Sequence, residues 1–433
     1  VRWFCQWLTV AGLTGCLVSH AIVDKVKDPA SAPDISYRYP VVAVPLLEET
    51  PLIDGNLHPD EWRHAWKSSN FLLLTTGFLT GEPATYWIGY SDAGLHIAFR
   101  FKRPLYATPP RASSKRGDKA AAKGDAGSVG SVWGDDCMEM FIRTEFGAGW
   151  EYNFLVNAYG VKSDGVRRGG TSKQNKRSFA ANSRLIENGY EGEFTIPWSD
   201  MEVDQPVPGT VWEFYFCRNR KTPSQETAGT SYLSSWTEGR DFGYLKFGGP
   251  ALPAVRMDAL GQIDNESAGV KLAVSTSDAG AQVRVHAALL RPLKPDLNYF
   301  KVYESEANPL GMQAEGLDRQ ILAPSTVSGE TLKQFEEIRT WSQDLTIAGG
   351  ETEMVDASAA VENGPYVLHY RVTDTASGQM LAGDTVQFRK QPPFVVEATP
   401  YLLMAETLAV DAEYSRVTGV EPGNLLKAEL FDT

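Results

Sequence analysis

Three carboxylates follow an aromatic side chain in Trp133-Gly134-Asp135-Asp136-Cys137-Met138-Glu139. Such a cluster could cleave a glycosidic bond, which needs two carboxyl groups facing each other across the substrate. Asp135 and Asp136 are adjacent, however, and neighbours on a strand point to opposite faces, so no pair straddles one bond. Their oxygens suit turn capping or a calcium ion, and Asp135 and Asp136 are the metal candidates although no EF-hand loop is present. Of the four cysteines, Cys5 and Cys16 lie near the start, leaving Cys137 and Cys217. No CxxC pair occurs, which argues against zinc. The six histidines form no HxH or HExxH, and no GxSxG is present. Metalloprotease and α/β-hydrolase chemistry are therefore unsupported. His96 with Met138 or Met140 could ligate haem, but a satisfied strand histidine beside core methionines is the simpler reading. No catalytic constellation emerges, and the chain is read as non-catalytic.

These residues must sit on strands. Residues 85–90 and 95–101 alternate at period two around Ser91-Asp92-Ala93-Gly94. Further strands are predicted at 137–143, 152–158, 183–186, 190–196, 211–217 and 244–247. Many short alternating strands argue for a sandwich over 41–250. A short helix is predicted at 59–66, with Pro59, Asp60 and Glu61 in its first turn. Trp62 and Trp66 would share one face of it, as core. Residues 107–131 are rich in small and basic residues and read as an exposed insertion, and 164–177 as a second irregular stretch. Beyond Gly248-Gly249-Pro250, strands are predicted at 270–274, 283–289, 366–372 and 380–388, with a turn at 374–378 and a short helix at 331–339. Residues 255–390 are read as an immunoglobulin-like β-sandwich. Pro392-Pro393 marks a linker, and 394–433 a partial domain or tail.

Residues 1–21 read as a targeting segment, with one charge, Arg2, and an apolar run too short to span a bilayer. Ser19-His20-Ala21 fits ordinary signal cleavage. Leu13-Thr14-Gly15-Cys16 resembles a bacterial lipobox, which would make Cys16 a lipid anchor. The expected location is secreted, periplasmic or cell-surface.

Six motifs in order carry a resemblance: Ile53-Asp54-Gly55-Asn56-Leu57 with Glu61-Trp62; the Trp133–Phe141 run; Phe154-Leu155-Val156-Asn157; Gly189-Tyr190-Glu191-Gly192-Glu193-Phe194; Trp212–Arg220; and Ser235-Trp236 with Phe242-Gly243. Over about 41–250 the chain resembles a carbohydrate-binding module of the family 9 type, or the broader family 9-like sugar-binding domain. The resemblance implies an antiparallel β-sandwich with a ligand face, often attached to polysaccharide-degrading enzymes. It implies that Trp133 stacks on a pyranose and that Glu139 accepts hydroxyl hydrogen bonds. Asn157, Arg218 and Asn219 are further carbohydrate-binding candidates on neighbouring strands. Where such domains carry a second tryptophan, this chain has only Thr237-Glu238-Gly239-Arg240-Asp241; a ligand Arg falls on Leu155, and a ligand Gln on Cys217. The resemblance allows bound calcium. It also puts Cys137 and Cys217 on the ligand face, implying a Cys137–Cys217 disulfide, with two buried free thiols as the alternative.

The chain carries 41 Lys and Arg against 54 Asp and Glu, for a formal charge of −13. That excludes a general nucleic-acid binder, which needs a basic field. Residues 1–250 hold 27 basic and 28 acidic residues, and 251–433 hold 14 and 26. The surplus thus belongs to the second half. The first half gathers Arg111, Lys115, Arg116, Lys119 and Lys123 in one irregular stretch. Lys162, Arg167, Arg168, Lys173, Lys176 and Arg177 lie in or beside the other. Solvated loop charge is the plain reading; attraction to an anionic polysaccharide is the functional one. The expected function is an exported, non-catalytic carbohydrate-binding protein tied to polysaccharide recognition or breakdown. The alternatives are a surface scaffold that kept the fold without the sugar site, or an accessory part of a glycoside hydrolase.

Overall fold

The computed structural model describes residues 40–102, 132–145, 150–168, 171–175, 178–221, 225–232, 242–302, 333–392, 395–398 and 410–413. The segments 1–21 and 107–131, Cys16 and Trp236 lie outside them, as does most of 394–433. The chain is all-β, built as two large sheets packed face to face. Among the described residues, one sheet has thirteen strands; the longest path through it starts at Phe335–Ile347 and ends at the hairpin of Lys162–Arg168 and Thr171–Asn175. The other has eight, from Ala180–Ile186 to Thr352–Ala360.

Alternation explains the layering. In Cys137–Arg143, residues Met138, Met140 and Ile142 enter the core between the sheets, joined by Tyr152, Phe154 and Val156 and by Trp212, Phe214 and Phe216 from the two flanking strands. Tyr86 from the other sheet meets Phe216 edge to face at 5.3 Å. Residues Cys137, Glu139, Phe141 and Arg143 are thereby turned to the outer face.

The ladders do not stop at residue 250. Val41–Val44 runs parallel to Gly243–Phe247 on one side and antiparallel to Met380–Lys390 on the other. Trp66–Ser68 lies parallel to Ala254–Gln262. These two parallel strand pairings stand among antiparallel ladders, and in both an early strand is joined by a segment about 190 to 200 positions later. One continuous apolar core results, holding Met138 and Phe214 together with Val285, Leu368 and Val372.

Three expectations need correction. Residues 59–65 form successive turns, with Glu61, Arg63 and Ala65 amides donating to the carbonyls of His58, Asp60 and Trp62. Trp66 then enters a strand, so the tryptophans face different clusters: Trp66 the main core, Trp62 a smaller one with Leu47, Leu57 and Ala98. The predicted helix at 331–339 gives way to the Phe335–Ile347 strand, held by twelve-residue pairing with Ala281–Pro292. Its side chains are mostly exposed, so edge pairing, which the local pattern cannot reveal, decides its form. The stretch 164–177 is largely a polar hairpin, Asp164 pairing with Asn175 and Gly165 with Gln174. Among the described residues, no helix is long and apolar enough to cross a membrane.

Candidate functional site

The outer face of the first sheet is centred on Cys137–Arg143, flanked by Val211–Arg220 and Trp150–Asn157. Cross-strand register places Glu139 opposite Cys217 and Leu155, and Cys137 opposite Asn219 and Asn157. Glu139, Asn157 and Asn219 thus share one face, together with Asn153, which the sequence did not single out.

Glu139 is a hub. Its Oε1 accepts a hydrogen bond from Asn153 Nδ2 at 3.1 Å, and its Oε2 accepts from Asn219 Nδ2 at 2.9 Å and from Cys217 Sγ at 3.7 Å. Burial pushes its carboxyl above the usual range, and the two amide donors oppose that rise. Asn219 Oδ1 accepts in turn from Thr227 Oγ1 at 3.0 Å. The signal for Asn153 was the period of two: it lies four positions before Asn157 on the same strand face.

The entry to this strand is tied down by the two aspartates. Asn157 Nδ2 donates to Asp135 Oδ2 at 2.9 Å, while Asn157 Oδ1 accepts from the amides of Tyr159 and Val161. Asp136 Oδ1 accepts from the Lys221 amide at 3.1 Å. Both aspartates are buried, and each fixes backbone or an amide. Among the described residues, no group of three or more His, Cys, Asp or Glu is placed to hold a metal ion.

Trp133 stands at the rim. Val132 before it is buried against Cys137 and Leu155, which anchors the turn. Trp133 is 42% exposed, whereas Phe141, Tyr215 and Phe242 of the same face are covered. Lys221 Nζ lies 4.1 Å from its ring centroid, a contact absent from the sequence reading.

A second group lies along the same face. Arg143 Nη2 pairs with Glu151 at 2.7 Å, and Arg167 pairs with the same carboxylate. The guanidinium of Arg143 lies 4.3 Å over Phe242, and that of Arg167 4.7 Å over Phe141. Phe242 stacks on Tyr215 with centroids 5.7 Å apart, and Gly229 makes this fit: a Cβ there would lie 1.9 Å from the Tyr215 hydroxyl. The basic residues Lys162 and Arg167 are thus engaged within the fold; Lys162 donates to the Phe179 carbonyl and lies over its ring at 4.7 Å.

Three predicted site residues need correction. Arg218 does not share the face of Asn219. As its neighbour on a strand it points the other way, into the core, 2% exposed, where it pairs with Glu82 and donates to the Lys102 carbonyl at 3.2 Å. Cys137 and Cys217 are free thiols, not a disulfide. They do share a face, but they are diagonal neighbours across the ladder. Diagonal Cα atoms lie about 7–8 Å apart, beyond the roughly 4.4–6.8 Å that a disulfide spans. His96 is likewise occupied, between Ser91 Oγ and Thr195 Oγ1 at 2.8 Å each, and burial lowers its pKa to about 4.

No protein-family model matches the chain, and no curated protein matches it. Solved carbohydrate-binding modules of family 9 are structural neighbours of this chain. One from Caldicellulosiruptor kristjanssonii in complex with cellotriose is 17% identical, covering 48% of this chain and 94% of its own, with a TM-score of 0.35. The module from that organism in complex with glucose is 16% identical, covering 51% and 98%, with a TM-score of 0.34. A candidate carbohydrate-binding protein from Bacteroides uniformis ATCC 8492 is 16% identical, covering 48% and 98%, with a TM-score of 0.38.

Proposed function

We propose that the outer face around Trp133 binds carbohydrate without catalysis, in an exported protein that takes part in polysaccharide recognition or breakdown. The observation that carries this reading is the exposed indole of Trp133 at the rim of a face built from Glu139, Asn153, Asn157 and Asn219. A half-exposed indole offers an apolar surface to the CH face of a pyranose, and the polar residues behind it hold the rim rigid. Binding on a glycan array, repeated with Trp133→Ala, tests it. Loss of all glycan binding in the variant, with unchanged thermal unfolding, supports the reading; retained binding overturns it.

A second reading is a scaffold that keeps the fold without a sugar site. It is favoured by one observation: both oxygens of Glu139 are already taken by Asn153, Asn219 and Cys217. No binding to any neutral or anionic glycan by the unaltered protein would select it. Export rests on the apolar first segment, with Cys16 as a lipid anchor or cleavage after Ala21. The mass of the mature chain, with and without Cys16→Ser, separates those two. A polysaccharide-degrading enzyme is the proposed partner, and co-purification with one from native extracts tests that.

A further inference from the structure

Lys221 follows directly on the Val211–Arg220 strand, where that strand leaves the ladder beside Cys137–Arg143. Its backbone amide is held by Asp136 Oδ1 at 3.1 Å, so its position is set by the same acidic pair that fixes the turn carrying Trp133. Its side chain reaches back over that turn, and Nζ lies 4.1 Å from the centroid of the Trp133 ring. Among the described residues, no carboxylate pairs with this ammonium; Arg143, Arg167, Arg218 and Arg220, by contrast, all pair with glutamates. Among the described residues, then, Trp133 is the aromatic left exposed, and the cation on its ring has no carboxylate partner.

We propose that Lys221 is a specificity-determining residue that makes the Trp133 platform select saccharides bearing an anionic substituent; this rests on the sugar-binding reading above. A neutral pyranose that stacks on this ring face must displace the ammonium and forfeit its cation–π contact. An acidic pyranose displaces it too, but its anion then receives the ammonium, swung out on a flexible four-carbon stem, as an ion pair. Lysine is a point charge and reads charge more than shape, so carboxylate and sulfate share the chemistry. Among the described residues, Lys221 is the cation that lies on the Trp133 ring.

The test uses the full chain and titration calorimetry with matched trisaccharides: galacturonate against galactose, glucuronate against glucose, mannuronate against mannose, and a sulfated galactan as the second anion. Unaltered protein is expected to prefer at least one anionic member over its neutral counterpart by about tenfold at low salt, shrinking as salt rises. Lys221→Met, which keeps the stem and removes the charge, is expected to abolish that preference, leaving the neutral affinity equal or about threefold higher. Lys221→Arg is expected to restore the preference. Preference only for the sulfated galactan would identify sulfate as the anion, and preference only for uronates the carboxylate. The proposal is overturned if no anionic sugar is preferred, or if Lys221→Met keeps the preference. Trp133→Ala separates the two layers: binding that survives it defeats the sugar platform itself. Binding lost in Trp133→Ala, with preference intact in Lys221→Met, defeats only the role of Lys221.

Discussion

Trp62 donates its indole N–H to Glu193 Oε1 at 2.8 Å, across 131 residues of sequence. The second oxygen of Glu193 accepts from the Gly55 amide at 3.0 Å, so one buried carboxylate pins the entire 53–66 loop to the Gly189–Ile196 strand. Trp62 and Gly55 come from the first motif of the chain and Glu193 from a later one, and this contact is what holds them together.

That carboxylate makes stability depend on pH. Burial raises its pKa from 4.5 to about 7, against the lowering effect of its two donors. Because the folded pKa is the higher one, the folded state binds the proton more tightly. The stabilisation is complete below about 4.5 and is lost as pH climbs through about 7. Urea unfolding between pH 4.5 and 8 is expected to show a fall of about 2 kcal/mol, discounted for solvent near the loop. Glu193→Gln is expected to flatten that slope. An unchanged slope in the variant would assign the pH dependence elsewhere.

Glu139 and Trp133 are expected to separate stability from binding. Glu139→Ala removes an acceptor from the buried amides of Asn153 and Asn219, leaving Asn153 Nδ2 its Met140 carbonyl, and unfolding free energy is expected to fall by about 1–3 kcal/mol. Trp133→Ala removes a half-exposed side chain at the rim, and its cost is expected within about 1 kcal/mol. Chemical denaturation of both variants checks this. The reverse ranking would mean that Trp133, not Glu139, organises the face.

The two thiols offer a direct count. Burial pushes both Cys137 and Cys217 well above the usual thiol range, so neither holds much thiolate at neutral pH. In a variant with Cys5→Ser and Cys16→Ser, a thiol reagent at pH 7.5 is expected to label almost nothing in the native state. After denaturation without reductant it should label both remaining cysteines. A denatured count of zero would mean that the ladder register lets them bridge.

Cutting the chain after residue 250 should expose the seam between its halves. Val41–Val44 would lose the Met380–Lys390 strand and Trp66–Ser68 the Ala254–Gln262 strand. Asn70 Nδ2 would also lose Asp384 Oδ2, its partner at 2.6 Å in the core. A 41–250 fragment is expected to unfold at lower denaturant than the full chain and to be cut faster by protease near residue 70. Equal resistance would show that the first half folds without the second.

Strand positions and face membership were legible because a side-chain period of two is a local property, written into runs such as Leu95 to Phe101 and Cys137 to Phe141. That period already placed Glu139 and Cys137 together and, applied to Arg218 and Asn219, would have separated them. The polar hairpin at 162–175 and the exposed edge strand at 335–347 were not legible, since neither carries an apolar alternation. Which strand lies beside which is not a local property. Register between segments some 80 to 340 positions apart decided that Cys137 faces Asn219 instead of Cys217, and that Glu139 is enclosed by donors. It also decided that Lys221 rests on Trp133, and that the sheets run on past residue 250. The sequence alone determined an all-β chain with an aromatic and an acid near one another. Only tertiary packing made the aromatic the exposed member and the acid the buried one, because burial depends on what the rest of the chain lays over each face.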